Sequence, residues 1–325
     1  MGKLSEDKSV EKPVTEWLSK MGWNFQSLND LKKYNRSFSN PIIEPILIEK
    51  VAKFNAITTE QATLAVEQLS HNLNNPSPIL GNEEFLEKLT KGITQNIDGD
   101  DKDIHFIDFK NIWDNDFIVT NQYWVQGFKM VKTDIVLLIN GVPIVPIEAK
   151  QRARKGTNWM EGVRQFSTYD QRADKLYMCH AFGVACNGRI AKYGIPGASS
   201  SYFNEWKNTI VENKHHNPIL DDKNNLVAIR KDETDGHYHI EVAKNSKGEI
   251  LEKMKLSIIG LLQPARVLDI LKHFLVFERS EGKIVKKVAR YQQLRAANKI
   301  AERVVNSDLN QGVIWHTQGS GKSLT

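Results

Sequence analysis

Asp134, Glu148 and Lys150 bracket the stretch DIVLLINGVPIVPIEAK, residues 134–150. Inside it, the apolar run Ile135 to Ile139 meets Asn140-Gly141 and then a second apolar run, Val142 to Ile147. Asn-Gly between two β-branched runs is the strongest short-range signal for a hairpin. All three ionisable groups then fall at its open end. Residues two apart on a strand share a face, so Glu148 and Lys150 point the same way. Two acids and a lysine gathered there can hold a divalent metal beside a phosphate. Register decides whether they meet. A plain two-residue turn sets Ile139 opposite Val142 and Asp134 opposite Ile147, with the acids on opposite faces. A shared site therefore requires an odd-length loop or a β-bulge. Pro143 and Pro146 suit one, because proline in sheets is confined to edges, strand starts and bulges. The sequence thus predicts an irregularity between residues 139 and 147.

A second constellation closes the sequence. GVIWHTQGSGKS, residues 312–323, is a strand-like run entering a glycine-rich turn. Gly319, Gly321, Lys322 and Ser323 carry the ending of a Walker A loop, whose backbone N–H groups cradle phosphates. Lys322 would contact the β- and γ-phosphates of ATP, and Ser323 would ligate Mg²⁺. His316 stands where the usual pattern has a glycine. The sequence stops at Thr325, before the helix, further strands and acidic residue that such a loop needs. The expectation is an N-terminal fragment whose ATPase half cannot turn over by itself.

The elements that must position these groups follow from periodicity. A helix is expected from Val10 to Gly22, with Pro13 in its first turn and Glu11 placed to compensate a helix dipole. Helices follow within residues 41–95, then a turn at Gly99-Asp100-Asp101, and strands over 104–109 and 117–126. Arg152, Arg154 and Lys155 form a basic stretch after the hairpin, either a solvated loop or a rim that contacts phosphate. A helix from Asn158 would carry Gln165 and Tyr169 on one face, a spacing too common to be informative alone. Residues 176–188 read as one buried strand, continued in the sheet by Arg189–Gly194. His215, His216, His237 and His239 have no acidic or thiol company and read as a surface hairpin, not a metal site. The stretch SIIGLLQPARVLDILKHFLVFE from Ser257 reads as helical with a break at Pro264, and a domain boundary is placed near residue 260. A short strand or loop and an amphipathic helix from about Tyr291 complete the chain.

Composition sets the outer limits. The 325 residues are 40% hydrophobic and 26% charged, as expected for a globular chain long enough for two domains. No signal peptide and no apolar run near the roughly 20 residues of a membrane span is visible, so a cytoplasmic protein without membrane contact is expected. Cys179 and Cys186 read as buried free thiols of a reducing compartment. A net charge of +5 permits nucleic-acid binding without arguing for it.

Taken together the motifs resemble one family: the N-terminal part of the restriction (motor, R) subunit of type I restriction-modification enzymes. The matching stretches are EKPVTEWLSKMGW (11–23), KTDIVLLINGVPIVPIEAK (132–150), RQFSTY (164–169) and GVIWHTQGSGKSLT (312–325). In that context His316 is a family-like feature. The resemblance implies an α/β fold: a PD-(D/E)xK, RecB-like nuclease domain with a mixed sheet flanked by helices over 1–260. The start of a RecA-like superfamily 2 helicase domain over 261–325 would follow it. It implies that Asp134, Glu148 and Lys150 are catalytic, with Asp134 and Glu148 holding Mg²⁺. Glu11 would be a further active-site acid, and Gln165 and Tyr169 would support the site or DNA. Gln292 or Gln293 would contact the adenine of ATP. The implied activity is Mg²⁺-dependent cleavage of double-stranded DNA coupled to ATP-driven translocation. The implied partners are a modification (methyltransferase) subunit and a specificity subunit. Two alternatives remain open at this point: a RecB-type repair helicase-nuclease, and a DNA translocase with a non-catalytic nuclease-like docking domain.

Overall fold

The computed structural model describes residues 10–150, 159–207 and 253–306, with 230–231, 238–239 and 313. The chain opens with α1 (Lys12–Lys20), β1 (Asn24–Phe25) and α2 (Leu28–Leu31). Three helices follow, α3 (Glu44–Asn55), α4 (Thr59–Ser70) and α5 (Pro78–Lys91), and then a ribbon of β2 (Ile93–Ile97) and β3 (Asp100–Ile104). The central strands are β4 (Phe117–Gln126), β5 (Met130–Ile139) and β6 (Val142–Ala149). Next come α6 (Trp159–Phe166), α7 (Tyr169–Arg172), α8 (Asp174–Cys179), β7 (Gly183–Cys186), β8 (Ala191–Gly194) and β9 (Asn204–Glu205). Two short strands, β10 (Arg230–Lys231) and β11 (Tyr238–His239), pair with each other. The last elements are α9 (Lys253–Leu261), α10 (Pro264–His273), β12 (Leu275–Ser280), β13 (Lys283–Val288) and α11 (Tyr291–Asn306).

Seven strands form one sheet in the order β1-β4-β5-β6-β7-β8-β9. It is mixed: β1 runs parallel to β4 and β6 parallel to β7, and the other neighbours are antiparallel. Every residue of β6 is buried, which is why its sequence is an apolar run without alternation. One face of β5, Ile135, Leu137 and Ile139, packs in a layer with Val14 and Leu18 of α1, Leu47 and Val51 of α3, and Phe85 of α5. The other, Val136 and Leu138, packs with Trp159, Val163 and Phe166 of α6 and with Tyr169. Helices thus cover both faces, and the strand order puts the predicted hairpin at the centre.

Asn140 and Gly141 turn the β5–β6 hairpin with φ of 50° and 83°, the left-handed pair that a tight hairpin requires. Ile139 pairs with Val142 and Leu138 with Pro143, but Leu137 pairs with Val145 and Ile135 with Ile147. Ile144 is the extra residue. The irregularity predicted between 139 and 147 is present, on the proline-containing strand.

Four local expectations are corrected. The strand expected over 104–109 ends at Ile104; its partner is β2, and the turn is Asp98-Gly99. Phe106 and Ile107 are buried as a loop, because Asn55 takes over the ladder's role at His105: its Oδ1 accepts from His105 N at 2.8 Å and its Nδ2 donates to His105 O at 2.9 Å. Residues 176–188 are not one strand. Asn82 Nδ2 donates to the carbonyls of Met178 at 2.7 Å and His180 at 3.0 Å, which closes α8 before β7 begins. Residues 275–280 leave the helical pattern and pair with 283–288 across Glu281-Gly282, both at positive φ. The helix expected through Tyr169 breaks after Phe166 and restarts as α7.

The elements after residue 260 pack on the same core: Val267, Leu268 and Leu271 of α10 and Leu294 of α11 belong to the layer of α1 and α5. Trp23 Nε1 donates to Leu262 O at 2.8 Å. The β12–β13 ribbon is fastened by Lys286, which is buried and donates to Asn82 Oδ1 at 2.8 Å and His180 O at 2.6 Å. Among the described residues no helix is long and apolar enough to cross a membrane.

Candidate active site

The bulge has a direct chemical result. With Ile135 opposite Ile147, Asp134 stands opposite Glu148, and residues directly opposite share a face. Lys150 lies on that face too, two residues beyond Glu148. Its Nζ is 3.3 Å from Asp134 Oδ2 and 3.5 Å from Glu148 Oε2. Asp134 Oδ2 also accepts from Ala149 N at 2.8 Å, so the next strand's backbone aims its carboxylate. Glu148 is fully buried, and its Oε1 accepts from the Tyr169 hydroxyl. Sequence spacing and register therefore converge on one cluster of Asp134, Glu148, Lys150 and Tyr169.

The electrostatics of that cluster are unbalanced. Burial pushes the Glu148 carboxyl well above the usual range, and the neighbouring Asp134 charge pushes the same way. Lys150 and the Tyr169 hydroxyl act in the opposite direction without cancelling them. Burial, followed by the Glu148 charge, also pushes the Tyr169 hydroxyl up. Burial raises the Cys186 thiol to about 12, and the charges of Asp134, Glu148 and Glu11 add to it while Lys150 opposes them. Two buried carboxylates with one lysine between them form a hard oxygen donor set short of positive charge, which fits a Mg²⁺ ion that keeps several of its waters. Among the described residues no three His, Cys, Asp or Glu side chains form a closed metal cage.

Glu11 stands at the N-cap of α1, makes no capping bond with its side chain, and is 3% exposed. Its carboxylate accepts instead from Gln122 Nε2, at 3.3 and 3.1 Å. Among the described residues Gln165 is not tied to the acids by a hydrogen bond: its backbone oxygen accepts from Thr168 Oγ1 at 3.0 Å, and its buried side-chain Oε1 has no partner among them. Gln293 is buried, and its Oε1 accepts from Arg290 N at 2.8 Å at the start of α11, whereas Gln292 is exposed. Gly319, Gly321, Lys322 and Ser323 lie outside the described residues, as do Arg152, Arg154, Lys155, His215, His216 and His237.

Two contributors escaped the sequence reading. Gln122 is one; the polar run Thr120-Asn121-Gln122 in a mostly apolar strand was its only signal. Gly162 is the other. A Cβ there would lie 3.0 Å from Glu148 Cβ and 3.3 Å from Ala185 Cβ, so α6 rests on the strand at Glu148 only because this residue has no side chain. A lone glycine inside a helical pattern was the available hint.

The fold and cluster define a mixed α/β domain with an acid-acid-lysine site at one end of a central hairpin. Residues 3–200 match the family model described as "Type I restriction enzyme R protein N terminus", and the chain belongs to that family. Residues 292–325 match the SWI2/SNF2 ATPase model. Among curated relatives, the chain is 25% identical to the type I restriction enzyme HindI endonuclease subunit of Haemophilus influenzae, over 99% of this chain and 29% of that protein. It is 29% identical to the putative type I restriction enzyme MjaVIIIP endonuclease subunit of Methanocaldococcus jannaschii, over 97% of this chain and 28% of that protein. A type I restriction enzyme endonuclease subunit of Staphylococcus saprophyticus is 24% identical over 68% of this chain and 20% of its own length. The chain spans less than a third of the length of these relatives.

Proposed function

We propose that this chain supplies the DNA-cleaving part of a type I restriction enzyme, a hydrolase of phosphodiester bonds in double-stranded DNA. The observation that carries the reading is the bulge at Ile144, through which Asp134, Glu148 and Lys150 meet on one face. In this reading residues 1–260 are a PD-(D/E)xK nuclease domain, and residues from 261 begin a RecA-like motor.

Asp134 and Glu148 would hold Mg²⁺, which when bound supplies positive charge at the scissile phosphate. The Ala149 N–H and the Tyr169 hydroxyl fix the two carboxylates in place. Lys150 orients the attacking water and offsets charge on the pentavalent phosphate as it develops. Its contacts to the two carboxylates, at 3.3 and 3.5 Å, hold the ammonium beside the metal position, which suits positioning better than base catalysis. Lys322 and Ser323 would hold ATP and its Mg²⁺, with Gln292 or Gln293 at the adenine, and hydrolysis would drive translocation of DNA. Modification and specificity subunits would choose the site and complete the complex, in the cytoplasm.

The test is cleavage and ATP hydrolysis by the full-length subunit reconstituted with its partner subunits on target plasmid. Glu148→Ala is expected to abolish cutting while ATP hydrolysis continues, and Lys322→Ala to abolish both. Normal cutting by Glu148→Ala would overturn the reading and leave this domain as a docking module on a translocase.

A further inference from the structure

In the middle of β4 one non-glycine residue is left-handed: Gln122, at φ 55°. A side chain with a Cβ is disfavoured there and persists only where its surroundings over-determine it, a condition that recurs at functional sites. Asn121 pairs with Ile135 and Tyr123 with Thr133, so Gln122 stands across from Asp134. The pairing is the same on both sides of it, so no residue has been inserted. What changes is the side of the sheet. Phe117 and Val119 pack in the layer of α1, whereas Tyr123 and Val125, of the same parity, pack in the opposite layer. At that reversal the Gln122 amide reaches both oxygens of the nearly buried Glu11, at 3.3 and 3.1 Å.

We infer that Gln122 is a positioning residue of the candidate nuclease site: its left-handed backbone aims the amide at Glu11 and ties that carboxylate to the strand position facing Asp134. The inference rests on the nuclease reading proposed above and assigns it a residue that no motif carries. The chemistry of the donor fits the task. A lysine or arginine at this point would bring a full positive charge that competes with a divalent cation for the acids. An amide fixes a carboxylate through hydrogen bonds without bringing such a charge. The supporting partners of metal-site ligands act in this way, and losing one typically weakens metal affinity or activity by about 10- to 100-fold.

Gln122→Gly separates backbone from side chain. Glycine accepts φ 55° without steric cost, so the fold is kept while the amide is lost. In the reconstituted full-length enzyme the variant should keep or raise its Tm. Its cleavage turnover should fall by about 10- to 100-fold with the KM for DNA unchanged, and the Mg²⁺ concentration for half-maximal cleavage should rise. Glu11→Gln should show the same pattern, and the double variant should lose no more than Glu11→Gln alone, because both changes act on one carboxylate. Wild-type turnover in Gln122→Gly, or losses that multiply in the double variant, would overturn the inference. Glu148→Ala in the same assay keeps the two failures apart. If it cuts normally, the nuclease reading fails; if it is inactive while Gln122→Gly is not impaired, only the role of Gln122 fails.

Discussion

Two of the lysines buried in this fold differ in their partners. Lys150 sits between two carboxylates, one fully buried, and its positive charge does not offset their mutual repulsion. Lys286 has no carboxylate among its described partners; it is surrounded by the Asn82 side-chain oxygen and the His180 carbonyl. Burial alone pushes Lys286 well below the ordinary lysine range. The contrast separates a site from a fastener. A buried charge answered by fixed dipoles ties two elements together and leaves nothing for a ligand to supply. In the proposed nuclease reading, the cluster of two acids and one lysine leaves a place for a cation from outside.

If the contrast is right, acid should act on the fastener. His180 packs beside Lys286 and the Tyr169 ring, with both ring nitrogens buried and unpartnered among the described residues. Burial first, then the Lys286 charge, lower it from 6.5 to about 3. Between those values the unfolded chain takes up a proton that the folded chain refuses. The stability this group contributes is therefore full above pH 6.5 and is lost as pH falls toward 3. The loss is on the order of 5 kcal/mol. Urea titrations across this range should show a shallower acid limb in His180→Leu than in the unaltered chain; parallel limbs would remove the fastener's pH sensitivity.

A second comparison concerns the charges themselves. Lys286→Ala leaves the Asn82 oxygen without its donor and opens a void, and should lower stability by about 2 kcal/mol. Glu148→Gln removes a disfavoured buried charge while keeping an acceptor for Tyr169, and should raise stability by about 1 kcal/mol without divalent metal. Chemical denaturation of the two variants should move in opposite directions; movement in the same direction would erase the distinction drawn above. The smallest effect on stability belongs to Gly162→Ala. Gained helix propensity and the tight approach to Glu148 should nearly cancel, within about 1 kcal/mol. The displaced Glu148 should still slow cleavage about tenfold, a split that parallel Tm and turnover measurements would reveal.

How much of this was legible depended on range in sequence. The hairpin was legible because Asn140-Gly141, the flanking apolar runs and the ionisable ends all lie within 17 consecutive residues. Even its bulge could be inferred, since two acids on one face demand an odd count. Helices α1, α3, α4 and α5 were legible from apolar spacing, and the structure closes the start of α4 with a capping box of Thr58 and Gln61. Most of the failures involve a distant partner; the β12–β13 ribbon, its first strand misread as helix, is the local exception. Asn55 replaces a strand ladder 50 residues away at His105, and Asn82 ends a helix 96 residues away at Met178. Gln122 meets Glu11 across 111 residues, and no local pattern announces a left-handed glutamine. Tyr169 was legible as a residue but not as a contact, because its helix breaks just before it.

The extra residue in β6 turns the cluster into a matter of counting. Every residue of the site could be kept, and the proposed chemistry would still vanish if the strand were one residue shorter between Pro143 and Val145, the partners of Leu138 and Leu137. An in-frame loss of one codon near Ile144 would swing Glu148 and Lys150 to the far side of the sheet, out of reach of Asp134. For a gene this is a switch hidden in its reading length. Such an allele would keep all the proposed site residues and set them on opposite faces of the sheet.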